Sequence, residues 1–160
     1  MTHTPLYPAH TAVHFPVPEH TSAGPPVIRE RGTVLGAIDE APGTCRSIVR
    51  AALRTRGLGA LTEDAAMVVT ELAANAVRAV QDEARAGAVL PVIVLVLGWL
   101  SEGIRTEVWD QSPGTPRMTA PDWEAETGRG LYIVDSLTQG RWGYRRAGLA
   151  KCVWAEMSLS

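Results

Sequence analysis

The chain has only two cysteines in 160 residues, Cys45 and Cys152. Two cannot build a disulfide scaffold or a zinc site of their own, and a reducing, cytoplasmic setting is the default expectation. Beyond His20 the chain has no histidine. That removes the commonest general base from the folded part and rules out a phosphohistidine there. Net charge is small: 15 Lys and Arg against 17 Asp and Glu leave −2 and a pI near 6.1. Direct nucleic-acid binding would need a clustered basic surface, and none is evident. Nor is there an apolar run of membrane length. The longest, Ala88 to Leu100, is interrupted by Pro91 and Gly98, so no membrane association is expected. The start has no basic stretch leading into an apolar one, so no secretory leader is expected. G-x-x-x-x-G-K-[ST] is absent, and so is G-x-S-x-G with a later histidine. These absences exclude a P-loop NTPase and a serine hydrolase triad.

What remains is enough for one domain with a core: apolar residues make up 46% of the chain. Residues 1–28 stand apart. They hold all four histidines and six of the eleven prolines, a composition that frustrates helix and strand alike and reads as a disordered or loosely ordered arm. His10 and His14 have ligand-like spacing, but no helix is expected around them to make it a metal site. Residues 29–160 form the domain. "GTVLGAID" reads as a first strand. "PGTCRSIVRAALRTRG" reads as a helix whose stripe is Cys45, Ile48, Val49, Ala52 and Leu53, stopped by Gly57. A second helix runs from Thr62, as N-cap, to about Ala86, with Ala65, Val69, Leu72, Ala76 and Val80 on its apolar face.

"VIVLVLGWL" (92–100) is saturated enough to be a central strand, and "SEG" turns it into "IRTEVWD" (104–110), an alternating hairpin partner. Residues 111–127 hold three prolines and read as a loop. "GRGLYIVDSLTQG" reads as a glycine-led short helix, and "RWGYR" with "KCVWAEMS" as a last hairpin. Hairpins with few helices predict an α+β, two-layer α/β sandwich: a mixed, mostly antiparallel sheet with helices on one face. Trp99, Trp109, Trp142 and Trp154 fall in these strands and are expected to pack on the sheet. Trp123, in the loop, is a weaker candidate to cover a ligand.

Three pieces stand out as chemistry. Glu71 and Asn75, in "TELAANAV", lie at i and i+4 and share one side of the second helix. Periodicity alone reads them as part of a wet edge with Asp64, Arg78 and Asp82. Asp110 ends a strand before "QSPGTP", where an Asp commonly caps a turn. "GRGL" (128–131) opens a helix, where glycines let the backbone approach an anion. Arg78, one turn beyond Asn75, could reach such an anion or pair with Asp82.

In this order and spacing, and with "WG" and "VWAEM" following, "TELAANAV", "VWDQSPGTP" and "GRGLYIV" resemble the N, G1 and G2 boxes of the GHKL superfamily of ATPases and kinases. The similarity is greatest to the anti-sigma-factor serine kinase branch abundant in actinomycetes, and it spans roughly residues 32–158. The resemblance implies the histidine-kinase-like ATPase fold, with ATP and Mg²⁺ as cofactors. Glu71 would act as general base on a serine hydroxyl, and Asn75 would give its carbonyl oxygen to Mg²⁺. Asp110 would accept the exocyclic amine of adenine, favouring ATP over GTP by roughly ten- to a hundredfold. The backbone at Gly128, Gly130 and Leu131 would hold phosphate, with Arg129 a further phosphate contact.

The chain departs from the superfamily pattern in places. Asp-x-Gly-x-Gly is replaced by Asp110-Gln111-Ser112-Pro113-Gly114. The threonine that supports the purine-binding Asp in relatives is replaced by Cys152, after Lys151, so Cys152 is expected to support Asp110 as a weak partner, with lower ATP affinity as the consequence. The 17-residue connection between Asp110 and Gly128 is short for a lid and would leave a phosphate tail open to a protein substrate. The implied function is an ATP-binding regulator that phosphorylates a serine on a small antagonist protein and also engages a sigma factor, with a homodimer as one option. The alternative is a nucleotide-binding interaction module without phosphotransfer.

Overall fold

The computed structural model describes residues 28–29, 32–85, 87, 91–118 and 129–159. The proline- and histidine-rich segment 1–27, Trp123 and Gly128 lie outside the described residues. The element order is β1 (Ile28–Arg29), β2 (Thr33–Gly36), α1 (Ala41–Thr55), a 3₁₀ turn (Gly59–Leu61), α2 (Thr62–Arg85), β3 (Val92–Leu100), β4 (Gly103–Asp110), α3 (Gly130–Thr138), β5 (Trp142–Ala147) and β6 (Ala150–Ser158). The strands form one sheet in the order β1-β3-β4-β6-β5, with β2 also paired to β3. Every pairing is antiparallel. The helices pack on one face, as an α+β fold of this pattern requires.

Helix α1 buries Ala41, Cys45, Val49 and Leu53, while Ile48 and Ala52 are only partly buried against the same core. Gly57 ends it at φ +72°, a backbone state glycine adopts without steric penalty. Burial pushes the Cys45 thiol up from its ordinary 9.0 to about 11, with a backbone hydrogen bond opposing the shift. Helix α2 is the spine of the layer. Ala65, Val69, Leu72, Ala76 and Val80 are all buried, as its periodicity predicts. A fully buried Leu72 contributes about 1.5–3 kcal/mol. The expected N-cap at Thr62 is corrected. A 3₁₀ turn leads into the helix, Thr62 is its first residue, and its buried hydroxyl has no hydrogen-bond partner among the described residues.

Strand β3 is central and buried on both faces, as its saturation predicts. Strand β4 alternates as read, yet both its faces are buried as well. Ile104 and Val108 join the helix-side core. Trp109 joins a second cluster with Val94, Val96, Ala150 and Cys152. On this second face Glu107 gathers the polar groups: Arg105 Nε at 3.2 Å as an ion pair, Arg145 Nη2 at 3.0 Å and Trp109 Nε1 at 3.1 Å. Arg105 also donates to Glu156 at 2.8 Å and lies over the Trp154 ring. The alternating residues of β4 therefore face a packed, charge-paired layer rather than water. Trp99 joins the helix-side core, and Trp142 packs against it while donating to Asp135 at 2.8 Å.

Candidate functional site

A cavity of about 240 Å³ opens between α2, the start of α3 and the ends of β4 and β6. Its apolar walls are Leu72, Ala76 and Ala79 of α2, Leu131 of α3 and Val153 of β6. Its polar groups are Asn75, Asp110 and Lys151, with Gly114 to Arg117 closing one side. Three chain-distant pieces singled out in the sequence thus meet at one place. An apolar cleft with few convergent polar groups is the usual form of a small-molecule site.

Strand geometry brings Asp110 there. It is the last residue of β4, on the same face as Ile104 and Val108, and it pairs with Lys151 of β6. It is fully buried. Oδ1 accepts the backbone N–H of Ser112 at 2.7 Å and the Ser112 hydroxyl at 2.6 Å, so the residue does cap its own turn. Oδ2 is buried with no hydrogen-bond partner among the described residues. A buried carboxylate oxygen in that condition is costly unless a donor reaches it. The unsatisfied atom therefore fits a ligand that presents an N–H at the pocket floor.

Glu71 and Asn75 are both half-buried on α2; Asn75 lines the cleft, whereas Glu71, one turn earlier, does not and instead borders a separate hollow with Arg46, Arg50 and Glu63. Helix α3 begins against them. A Cβ placed on Gly130 would lie 2.5 Å from Glu71 Oε2 and 3.5 Å from Asn75 Nδ2, so a side chain here would have to displace the Glu71 carboxylate. Asn75 Oδ1 accepts from Arg78. Arg78 does not pair with Asp82, which instead takes Arg85 at 3.1 Å. Arg129 holds the N-cap position of α3, and its carbonyl accepts from Tyr132 and Ile133. The first N–H groups of a helix have no partner within it, and at Gly130 and Leu131 they belong to residues that line the cleft.

Cys152 requires a correction. Expected beside Asp110, it lies on the opposite face of the sheet, in the cluster with Trp109, and its thiol is 3.9 Å from Glu107. Side chains alternate along β6, so Val153, Ala155 and Met157 face the helices while Cys152 and Trp154 face away. The neighbour of Asp110 is Lys151, which the motif reading passed over. The signal was in the alternation: a strand with Val153 in the core cannot also turn Cys152 inward.

The donor set fits a nucleotide better than a bare metal ion. Among the described residues no group of three or more His, Cys, Asp or Glu side chains is placed to hold a metal. Asn75 offers one neutral oxygen, so a hard cation there would draw most of its ligands from a phosphate chain. No helix among the described residues is long and apolar enough to cross a membrane. The profile described as the histidine kinase-like ATPase domain matches residues 37–157. A comparison with curated proteins finds no match.

Proposed function

The chain belongs to the histidine kinase-like ATPase domain family, and on that premise we propose that it is an ATP- and Mg²⁺-dependent serine protein kinase that phosphorylates a small antagonist protein in the control of a sigma factor. The ATP-binding GHKL-type domain is the family's own property. The kinase activity and the partner are our reading. The observation that carries it is the buried, unpartnered Oδ2 of Asp110, in a cleft shared with Asn75, Gly130 and Leu131.

Bound ATP with its cation would supply the transferable phosphoryl group and most of the positive charge that such transfer needs. The chain's own residues would do the rest. Asp110 would accept from the purine amine, with Leu72, Ala76 and Val153 as apolar walls. Asn75 Oδ1 would leave Arg78 to offer its oxygen to the cation. The N–H groups at the start of α3 would face the phosphates, and Arg129 stands next to them. Glu71, one helical turn from Asn75, would accept a hydrogen bond from an incoming serine hydroxyl and hold its proton.

One observation favours the alternative, a nucleotide-binding interaction module without transfer: Asn75 Oδ1 is already engaged by Arg78. Labelled-phosphate transfer from ATP to antagonist proteins of the native host separates the two. Wild type is expected to label one of them. Glu71→Ala is expected to keep ATP affinity within about threefold while losing transfer. Labelling that survives in Glu71→Ala refutes the role given to Glu71, and wild type that binds ATP and labels none refutes the kinase reading.

A further inference from the structure

Lys151 is only 4% exposed, and a lysine at such depth needs partners for its charge. Its ammonium donates to Ser112 Oγ at 2.6 Å and to the Gly114 carbonyl at 3.0 Å, and lies 3.4 Å from Asp110 Oδ1. An ammonium can only donate. Ser112 Oγ therefore accepts from Lys151 and turns its own proton to Asp110 Oδ1, 2.6 Å away. The backbone N–H of Ser112 reaches the same oxygen. Oδ1 is thus fully engaged, and Oδ2 is the oxygen left over.

We propose that Lys151 is a positioning residue for base recognition: through Ser112 it fixes the Asp110 carboxylate so that Oδ2 alone is presented to the 6-amino group of a purine. The inference rests on the ATP-binding reading above. A plainer role, tying the loop after β4 to the last hairpin, is already filled by Arg146, which donates to Pro113 and, at 3.2 Å, to Gly114. What Lys151 adds is the contact with Ser112 and the counter-charge beside Asp110. Removing it would free the Ser112 hydroxyl to rotate and the carboxylate to turn with it, while the apolar walls stayed in place.

The test is calorimetric binding of ATP and of purine riboside triphosphate, which lacks the 6-amino group, to the full chain. Wild type is expected to prefer ATP by about tenfold or more, the worth of one charge-assisted hydrogen bond. In Lys151→Met the preference is expected to fall to within about threefold, with the analogue's own affinity changed less than about threefold. If the variant loses both ligands by the same factor, or keeps the full preference, Lys151 is a loop clamp and the inference is wrong. Should Lys151→Met fail to fold, Ser112→Ala breaks the same relay with a smaller change, and an undiminished ATP preference there overturns the inference equally. Wild type that binds both triphosphates alike overturns the inference and leaves ATP binding standing. Wild type that binds neither overturns both.

Discussion

Replacing Asp110 by asparagine keeps the side chain's shape and reverses what it offers the cleft. The new amide could in principle sit either way round. Ser112 settles the orientation, because its backbone N–H at 2.7 Å and its hydroxyl at 2.6 Å both donate to the Oδ1 position. An NH₂ group placed there would face two donors, so the carbonyl oxygen stays and the NH₂ takes the Oδ2 position. That position now donates. Against adenine it meets another donor, and against guanine it meets the O6 acceptor. Loss of a hydrogen bond to a charged group is worth about 1.5–3 kcal/mol, so ATP affinity is expected to drop roughly ten- to a hundredfold. GTP affinity is expected to hold or rise, which would bring the two nucleotides close to parity or invert their order. The free protein should lose stability as well, because Lys151 gives up its counter-charge. It keeps Ser112 Oγ and Gly114 O, so the loss is expected to be about 1–3 kcal/mol, less than for a charge stripped of all partners. Titration calorimetry with ATP and GTP, together with urea unfolding of the free protein, measures all three quantities. ATP affinity within about threefold of wild type, or equal losses for the two nucleotides, would refute the assignment of Asp110 to the purine.

Two further outcomes follow from the sheet and the first helix. Glu107→Ala removes the acceptor shared by Arg105, Arg145 and Trp109; a loss of about 3–5 kcal/mol in urea unfolding is expected, and less than about 1 kcal/mol would show that the cluster is not a coupled buried unit. The Cys45 thiol, raised to about 11 in the fold from 9.0, stays protonated longer in the native state than in the unfolded chain. Its contribution, up to about 2–3 kcal/mol, is fully present below pH 9 and is lost as pH rises through 11. The stability difference between wild type and Cys45→Ala should therefore narrow across that window, and a difference that stays constant would contradict the assigned cause.

The elements most legible in the sequence were those whose period is enforced by a single buried face. Ala65, Val69, Leu72, Ala76 and Val80 fall on one stripe, and all five are buried. The two hairpins were equally plain, since glycine and short spacing leave a chain few alternatives; the turns, read at 101–103 and around Ala147 and Gly148, lie at 101–102 and 148–149. The meeting of Asn75, Asp110 and Gly130 at one cleft came from motif order, and the geometry then supplied an independent physical reason for it: an unsatisfied oxygen. Three features were not legible. The 3₁₀ turn Gly59–Leu61 has no pattern to set it apart from a loop, so Thr62 looked like a cap. The charged face of β4 is covered by Glu156, Arg145 and Trp154 from neighbouring strands, and no single segment reveals that pairing. Cys152 was assigned by its place in a motif, which counts residues but says nothing of the side to which each one points.

The ionic cluster around Glu107 bears on the cleft although it lies behind it. If β4 slid one residue along β6, its side chains would exchange sides. Arg105 and Glu107 would then be thrust among Leu72, Val69 and their aliphatic neighbours, while Asp110 would swing to the rear beside the tryptophans. Bare charges in that aliphatic layer are prohibitive, so the slipped sheet has no stable form. The paired charges behind the sheet thus act as a ratchet tooth, and the purine end of the cleft inherits its alignment from residues that never touch the ligand.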